Sequence, residues 1–346
     1  MATLTEVSQV ARKVIKFGGI ALVVLILFPG FARIVKRIYL TLNPPPPPAP
    51  TVIYGKLPRL DFPAMPNTAT PEYTLETIEG GLPKLDNQAK VYVVGINKSR
   101  LLTLNRVKQK VVSLGFVNEP IQTDEQTYLF VHPKIGSLLS YNVVSGSFTY
   151  SYDWTQDNAI YQSHDIPVGS ESISEAKSFL NSVGSLSEDL VSGNGKFIYL
   201  LASGSAVFPT DSVYDANFVR VDLFRANKDK LRVVTVGGDT SPIQVMISGM
   251  SDSRKIVQAS FQYSQILEND FATYPLLPVQ EAWNNLLAGK GYIAKKITDK
   301  VTVRRITLAY FESNQPQKFL QPVYLFEGDA GFMAYVQAVD PKMVIE

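Results

Sequence analysis

Hydrophobic and polar positions change their period several times along this chain, and each change predicts an element. The first pattern has no period: Phe17 to Ala32 is sixteen residues without a charge. Beyond a proline block the pattern becomes that of a folded head. Tyr73–Ile78 alternates and predicts a first strand, and Lys90–Ile96 is a short apolar run that fits a more buried one. Ser99–Phe116 then carries Leu101, Leu104, Val107, Val111 and Leu114 at helical spacing, with Gly115 as the stop. Thr127–Val131, Ser137–Val143 and, past the Val144-Ser145-Gly146 turn, Ser147–Asp153 read as strands.

The same order recurs twice. A helix capped by Ser174 runs to Val183 and stops at Gly184, and strands follow at Lys196–Ala202, Asn217–Arg225 and Lys230–Val236. A third helix, Pro278–Leu287, ends at Gly289 and precedes strands at Val301–Phe311, Leu320–Glu327 and Phe332–Ala338. Ile243–Ile247 and Ile256–Ser264 add two more. Three helix-then-meander units predict an α+β head with helices on one face of antiparallel sheets, divided into units 54–170, 171–240 and 241–346. Between the spacer and the first strand, Pro58, Pro63, Pro66 and Pro71 exclude a central strand. Leu57, Leu60 and Phe62 are expected to lie along the surface of the head.

The uncharged run covers about 24 Å as a helix, slightly less than a hydrocarbon core of ~30 Å. Snorkelling by Arg33, Lys36 and Arg37 lets Ile34, Val35, Ile38 and Leu40 extend the span, so residues 17–42 are expected to cross the lipid bilayer as a single-pass transmembrane helix and signal anchor. The alternative is the apolar core of a cleaved signal peptide, but no small-x-small site follows and arginine comes directly after the run. Arg12, Lys13 and Lys16 on one side equal Arg33, Lys36 and Arg37 on the other, so the basic flanks do not set orientation. The length of the head does: residues 1–16 are expected in the cytoplasm and the head on the extracytoplasmic side of the cell membrane. Five consecutive prolines, Pro44 to Pro48, predict a polyproline II rod of about 20 Å over residues 43–53, a linker in preference to a docking motif.

Charge narrows the partners. Lys and Arg number 33 against 31 Asp and Glu, a net +2, which gives no reason to expect nucleic acid. Cysteine is absent, excluding disulfides, thiolate nucleophiles and zinc–thiolate or iron–sulfur sites.

Three C-terminal stretches, Val303-Arg-Arg-Ile-Thr-Leu-Ala-Tyr310, Phe319-Leu-Gln-Pro-Val-Tyr-Leu-Phe-Glu-Gly328 and Phe332-Met-Ala-Tyr-Val-Gln-Ala-Val339, resemble PepSY-like domains. They are also similar to the extracytoplasmic parts of the YycH and YycI regulators, as is the Ser137–Asp153 hairpin. The resemblance implies a short cytoplasmic tail, one span and a tandem α+β head. It also implies a non-enzymatic protein that regulates, senses or scaffolds a membrane or envelope protein, with no cofactor.

The residues themselves offer little chemistry. His132 and His164 stand alone, without the spacing of a metal or metalloprotease motif. Ser203-Gly-Ser205 and Gly249-Met-Ser251 come nearest to a nucleophile elbow but lack its strand–turn–helix context. Gly193-Asn-Gly-Lys196 and Gly289-Lys-Gly291 have the reverse order to a phosphate loop and read as turns. Asp211, Asp215 and Asp222, or Asp153 with Asp157, are too sparse for a calcium loop. One stripe remains. Phe148, Tyr150, Tyr152 and Trp154 alternate and are expected on one face, either as a core stripe or as an aromatic binding surface for peptide or carbohydrate. The rival class is therefore an envelope glycan-binding protein or a carboxylate-dependent hydrolase, whose paired carboxylates are spatial and not sequential.

Overall fold

The computed structural model describes residues 16–18, 27, 28, 30, 31, 33–40, 48–64, 71–95, 100–295 and 298–345. The chain divides into Met1–Ala49 and Pro50–Glu346. In the first unit residues 16–18, 27, 28, 30, 31 and 33–40 are helical and exposed. The rest of the expected span, and the proline block up to Pro47, lie outside the described residues. Among the described residues no helix is long and apolar enough to cross a membrane.

In the second unit β1 (Glu72–Leu75) and β2 (Gln88–Gly95) precede α1 (Arg100–Val111). β3 (Ile121–Gln122), β4 (Thr127–Val131), β5 (Ser137–Asn142) and β6 (Phe148–Tyr152) follow, then α2 (Asn158–Gln162), α3 (Ser170–Ser182) and α4 (Glu188–Val191). The chain continues through β7 (Gly195–Ser203), β8 (Ala206–Thr210), β9 (Phe218–Leu223) and β10 (Arg232–Thr235) to β11 (Ile243–Ser248), β12 (Ile256–Phe261) and β13 (Gln265–Pro275). α5 (Val279–Leu287) comes before β14 (Tyr292–Lys295), β15 (Lys300–Glu312), β16 (Phe319–Gly328) and β17 (Met333–Gln337).

These strands make two sheets of a mixed α+β fold that is mostly sheet. Nine strands run in the order β3-β4-β5-β6-β12-β11-β9-β7-β8, antiparallel throughout. Eight strands form the other, along β1-β15-β16-β17-β14. There β10 and β1 share one edge of β15, both parallel to it, and β2 joins β16 to β13. Sequence neighbours therefore do not stay together. β11 and β12, from residues 241–346, lie between β9 and β6, whereas β1, β2 and β10 join the C-terminal strands.

Each sheet has its own core. Leu104, Val107 and Val111 of α1 and Ala176, Phe179 and Leu180 of α3 pack on one face of the nine-stranded sheet. Ala282, Trp283 and Leu286 of α5 pack on Phe326, Ala334 and Val336 of the other. The reverse face of that sheet, with Val323, Leu325 and Tyr335, is closed by Leu60 and Phe62. Leu57, expected at the surface, is fully buried and bridges to Val344; Leu60 is buried too. Prolines exclude this segment from a ladder but leave it extended, so it straps the sheet with its apolar side chains inward.

One local expectation changes, and one strand has no counterpart in the sequence reading. The second helix starts at Ser170 behind Gly169, whose φ of 60° only glycine adopts freely. Ser174 lies inside it and donates back to the Ser170 carbonyl. β13 carries no alternating pattern because Glu268-Asn269-Asp270 interrupts it, and its register against β2 jumps between Ile266 and Phe271.

Candidate binding face

Strand alternation gives the nine-stranded sheet two unlike faces. One packs on α1 and α3. The other is partly covered: Ile160 of α2 and Trp154 close over Leu200, Phe218, Met246 and Val257. The remainder faces solvent, and cross-strand register orders it into zones. At the β3–β5 end Ile121, Val131 and Leu138 form an exposed apolar rim, with Val131 paired to Leu138. In the centre Leu138 neighbours Ser151, Ser151 neighbours Gln258, and Thr149 neighbours Ser260. Thr149, Ser151 and Gln258 are exposed. At the β9–β7 end Gln244 pairs Asp222, and Asp222 pairs Lys196.

That last zone holds unused hydrogen-bonding capacity. Asp222 is buried and its Oδ2 accepts from Arg220 at 3.2 Å, while Asp222 Oδ1 and Arg220 Nε are buried without a partner. Burial raises the Asp222 pKa, and the Arg220 charge only partly offsets it.

The expected aromatic stripe does not share one face. Phe148 and Tyr150 are buried against the helices, 3% and 6% exposed. Tyr152 ends the strand, half-buried, and its hydroxyl donates to Asp157 at 2.8 Å. The chain then leaves the ladder, and Trp154 packs on the opposite face, its ring 5.0 Å from Phe218. Alternation ceases to apply where the strand stops. Phe148 instead joins a stack that sequence spacing could not reveal. Tyr141–Phe148, Phe148–Phe261 and Phe261–Tyr263 lie at 6.2, 5.2 and 5.6 Å, with planes within 21° of parallel.

This stack ends on a buried charge cluster between the sheets. The Arg225 guanidinium lies 4.3 Å over the Tyr263 ring, and its Nε donates to Asp189 at 2.6 Å. Its NH1 reaches Glu312 at 3.0 Å and the Ser264 carbonyl at 2.8 Å. Arg225 and Glu312 side chains are each 4% exposed. Arg225 follows β9 and Glu312 ends β15, so the cluster ties one sheet to the other. Burial works to raise the Asp189 pKa, but the Arg225 charge and hydrogen bonds from Ser187, Arg225 and Tyr263 exceed it and hold the carboxyl below its ordinary range. Cavities of about 260, 190 and 360 Å³ border the cluster, contributing Tyr263, Glu312 and Arg225 respectively to their walls. Asp189 and Glu312 are both engaged in holding the guanidinium.

The remaining candidates are structural or separate. His132 Nδ1 accepts from the amides of Lys134 and Ile135 at 3.1 and 3.2 Å, closing the β4–β5 turn. Burial, then the Lys134 charge, lowers its pKa, consistent with a neutral acceptor ring. His164 Nδ1 meets the Ala216 carbonyl at 3.1 Å. Asp157 caps α2 through the Ala159 amide, and Asp153 accepts from Thr155. Ser203-Gly-Ser205 is the β7–β8 turn. No group of three or more His, Asp or Glu side chains converges as a metal site among the described residues.

No protein-family model matches the chain, and no curated protein matches it. Similar solved structures include an uncharacterized protein from Eubacterium rectale ATCC 33656, 11% identical with a TM-score of 0.42, covering 78% of this chain and 89% of that one. The YpeB C-terminal domain from Bacillus megaterium is 12% identical with a TM-score of 0.30, covering 72% and 96%. YycH from Bacillus subtilis is 16% identical with a TM-score of 0.30, covering 73% and 53%. The likeness concerns the fold.

Proposed function

We propose that this protein is a membrane-anchored extracytoplasmic binding module without enzymatic activity, acting as a regulator, sensor or scaffold for another membrane or envelope protein. Residues 17–42 hold it in the bilayer and the proline block tethers the head; of the expected 43–53 spacer, Thr51 and Val52 belong to the head instead, hydrogen-bonded to Thr273 of β13. The observation that carries the reading is the solvent side of the nine-stranded sheet. Exposed apolar Ile121, Val131 and Leu138 lie beside uncharged Thr149, Ser151 and Gln258, with charge kept to one end, so a partner can cover this surface without stripping water from a charged group. Sheet faces of this kind bind by area and complementarity and need no catalytic group.

A photo-crosslinking residue at Ser151 in the full chain, in its native membranes, tests this. The expected result is an adduct with a membrane or envelope protein that disappears when Leu138→Glu is added. No protein adduct, together with retention of the chain on isolated cell-wall glycan, refutes the reading in favour of a glycan-binding protein or hydrolase.

A further inference from the structure

One strongly cationic stretch of the head is α1 and its flanks. From Ile96 to Asn118 the sequence carries Lys98, Arg100, Arg106, Lys108 and Lys110 and neither Asp nor Glu, in a chain whose net charge is +2. The fold sorts these residues. Leu104, Val107 and Val111 are committed to the core, while Leu102, Asn105, Arg106, Gln109, Lys110 and Val112 face outward. Leu102 and Val112 are 57% and 52% exposed at the two ends of this face, and Val117 beyond them is 64% exposed.

Compensation is slight. Arg106 pairs with no acid among the described residues. Lys108 meets Glu119, which is itself 84% exposed, and Lys110 donates to the Gly184 carbonyl at 3.3 Å. The face is convex, with cations between apolar side chains spaced about 15 Å apart along the axis. It offers no groove for a partner helix. A plane of anionic headgroups over an apolar interior matches both features, taking the cations at the surface and the leucine and valines just beneath.

We infer that the outward face of α1 rests on an anionic lipid surface and orients the head against it. The inference rests on the membrane attachment proposed above for residues 17–42. It goes beyond tethering, because a flexible tether alone does not fix which face of the head turns toward the bilayer.

The chain has no cysteine, so Gln109→Cys gives a unique site for a polarity-sensitive dye. The full-length protein is reconstituted in vesicles of phosphatidylcholine alone or mixed with phosphatidylglycerol. The expected result is a blue shift and several-fold protection from acrylamide only in the anionic vesicles. It reverses near 1 M salt, where the screening length falls to ~3 Å. Arg106→Glu with Lys110→Glu abolishes it, while a dye at Gln315→Cys on the β15–β16 turn is indifferent to lipid. If the chain floats with both vesicle types and the Gln109 dye reads alike in both, the inference fails and attachment stands. If the chain floats with neither, attachment fails and takes the inference with it. Protection produced by a soluble polyanion and not by vesicles overturns it in favour of an acidic macromolecule. The salt reversal on the native charges stands independently of how the double variant folds.

Discussion

Replacing Arg225 by methionine keeps an unbranched apolar stem and removes the guanidinium with its charge and all four of its contacts to Asp189, Glu312, the Ser264 carbonyl and the Tyr263 ring. Glu312 is then left with a 4% exposed side chain and no cation. Removing one partner of a buried pair costs about 3–5 kcal/mol, mostly because the surviving charge is stranded. Asp189, 29% exposed at its side chain, recovers some water and adds less. Urea unfolding of full-length Arg225→Met is therefore expected to show a loss of about 3–5 kcal/mol. Glu312→Gln in the same chain removes the stranded charge, so the double variant should recover part of it. A coupling of roughly 0.5–3 kcal/mol is the range for groups in contact. A loss under about 1 kcal/mol, typical of an exposed pair, refutes the claim that the cluster binds the sheets together. Strict additivity with Glu312→Gln refutes the pairing.

Two further outcomes follow from the same geometry. Gly115 has φ 89°, and a Cβ there would lie 2.2 Å from His132 Nε2, so Gly115→Ala should lower stability by about 1–3 kcal/mol in thermal unfolding, where an indifferent variant would deny the close approach. The depressed Asp189 pKa means that its stabilisation is fully present above the ordinary aspartate value of ~3.9 and is lost as the pH falls through the lower folded value. Unfolding midpoints should drop over that acid range, and Asp189→Asn should flatten the drop; an unchanged acid limb would contradict the assignment.

Local signals were legible wherever one residue decides one conformation. Gly115, Gly184 and Gly289 each close a helix at positive φ, where their sequence positions put a stop. Thr127–Val131 appears with the bounds its alternation predicts. Gly169 was missed as a helix start because Ser174 offers the more familiar capping side chain, and β13 was missed because three polar residues bridge its register shift.

The binding face lies a level further out. That Thr149 and Ser151 point away from Phe148 and Tyr150 follows from period two alone. That they look onto solvent depends on which strand lies beside β6. The answer is β12, more than a hundred residues away, so Ser151 meets Gln258 and Phe148 stacks on Phe261. By itself the sequence determined the α+β composition, three of the helices and most strands, the presence of the uncharged run and its proline block, and the exclusion of cysteine chemistry. Only the tertiary structure decided the sheet order, the buried strap at Leu57 and Leu60, the Arg225 cluster and the outward charge of α1. Local pattern records which side of an element is apolar, whereas pairing and burial are set by partners distant in sequence that no local period encodes.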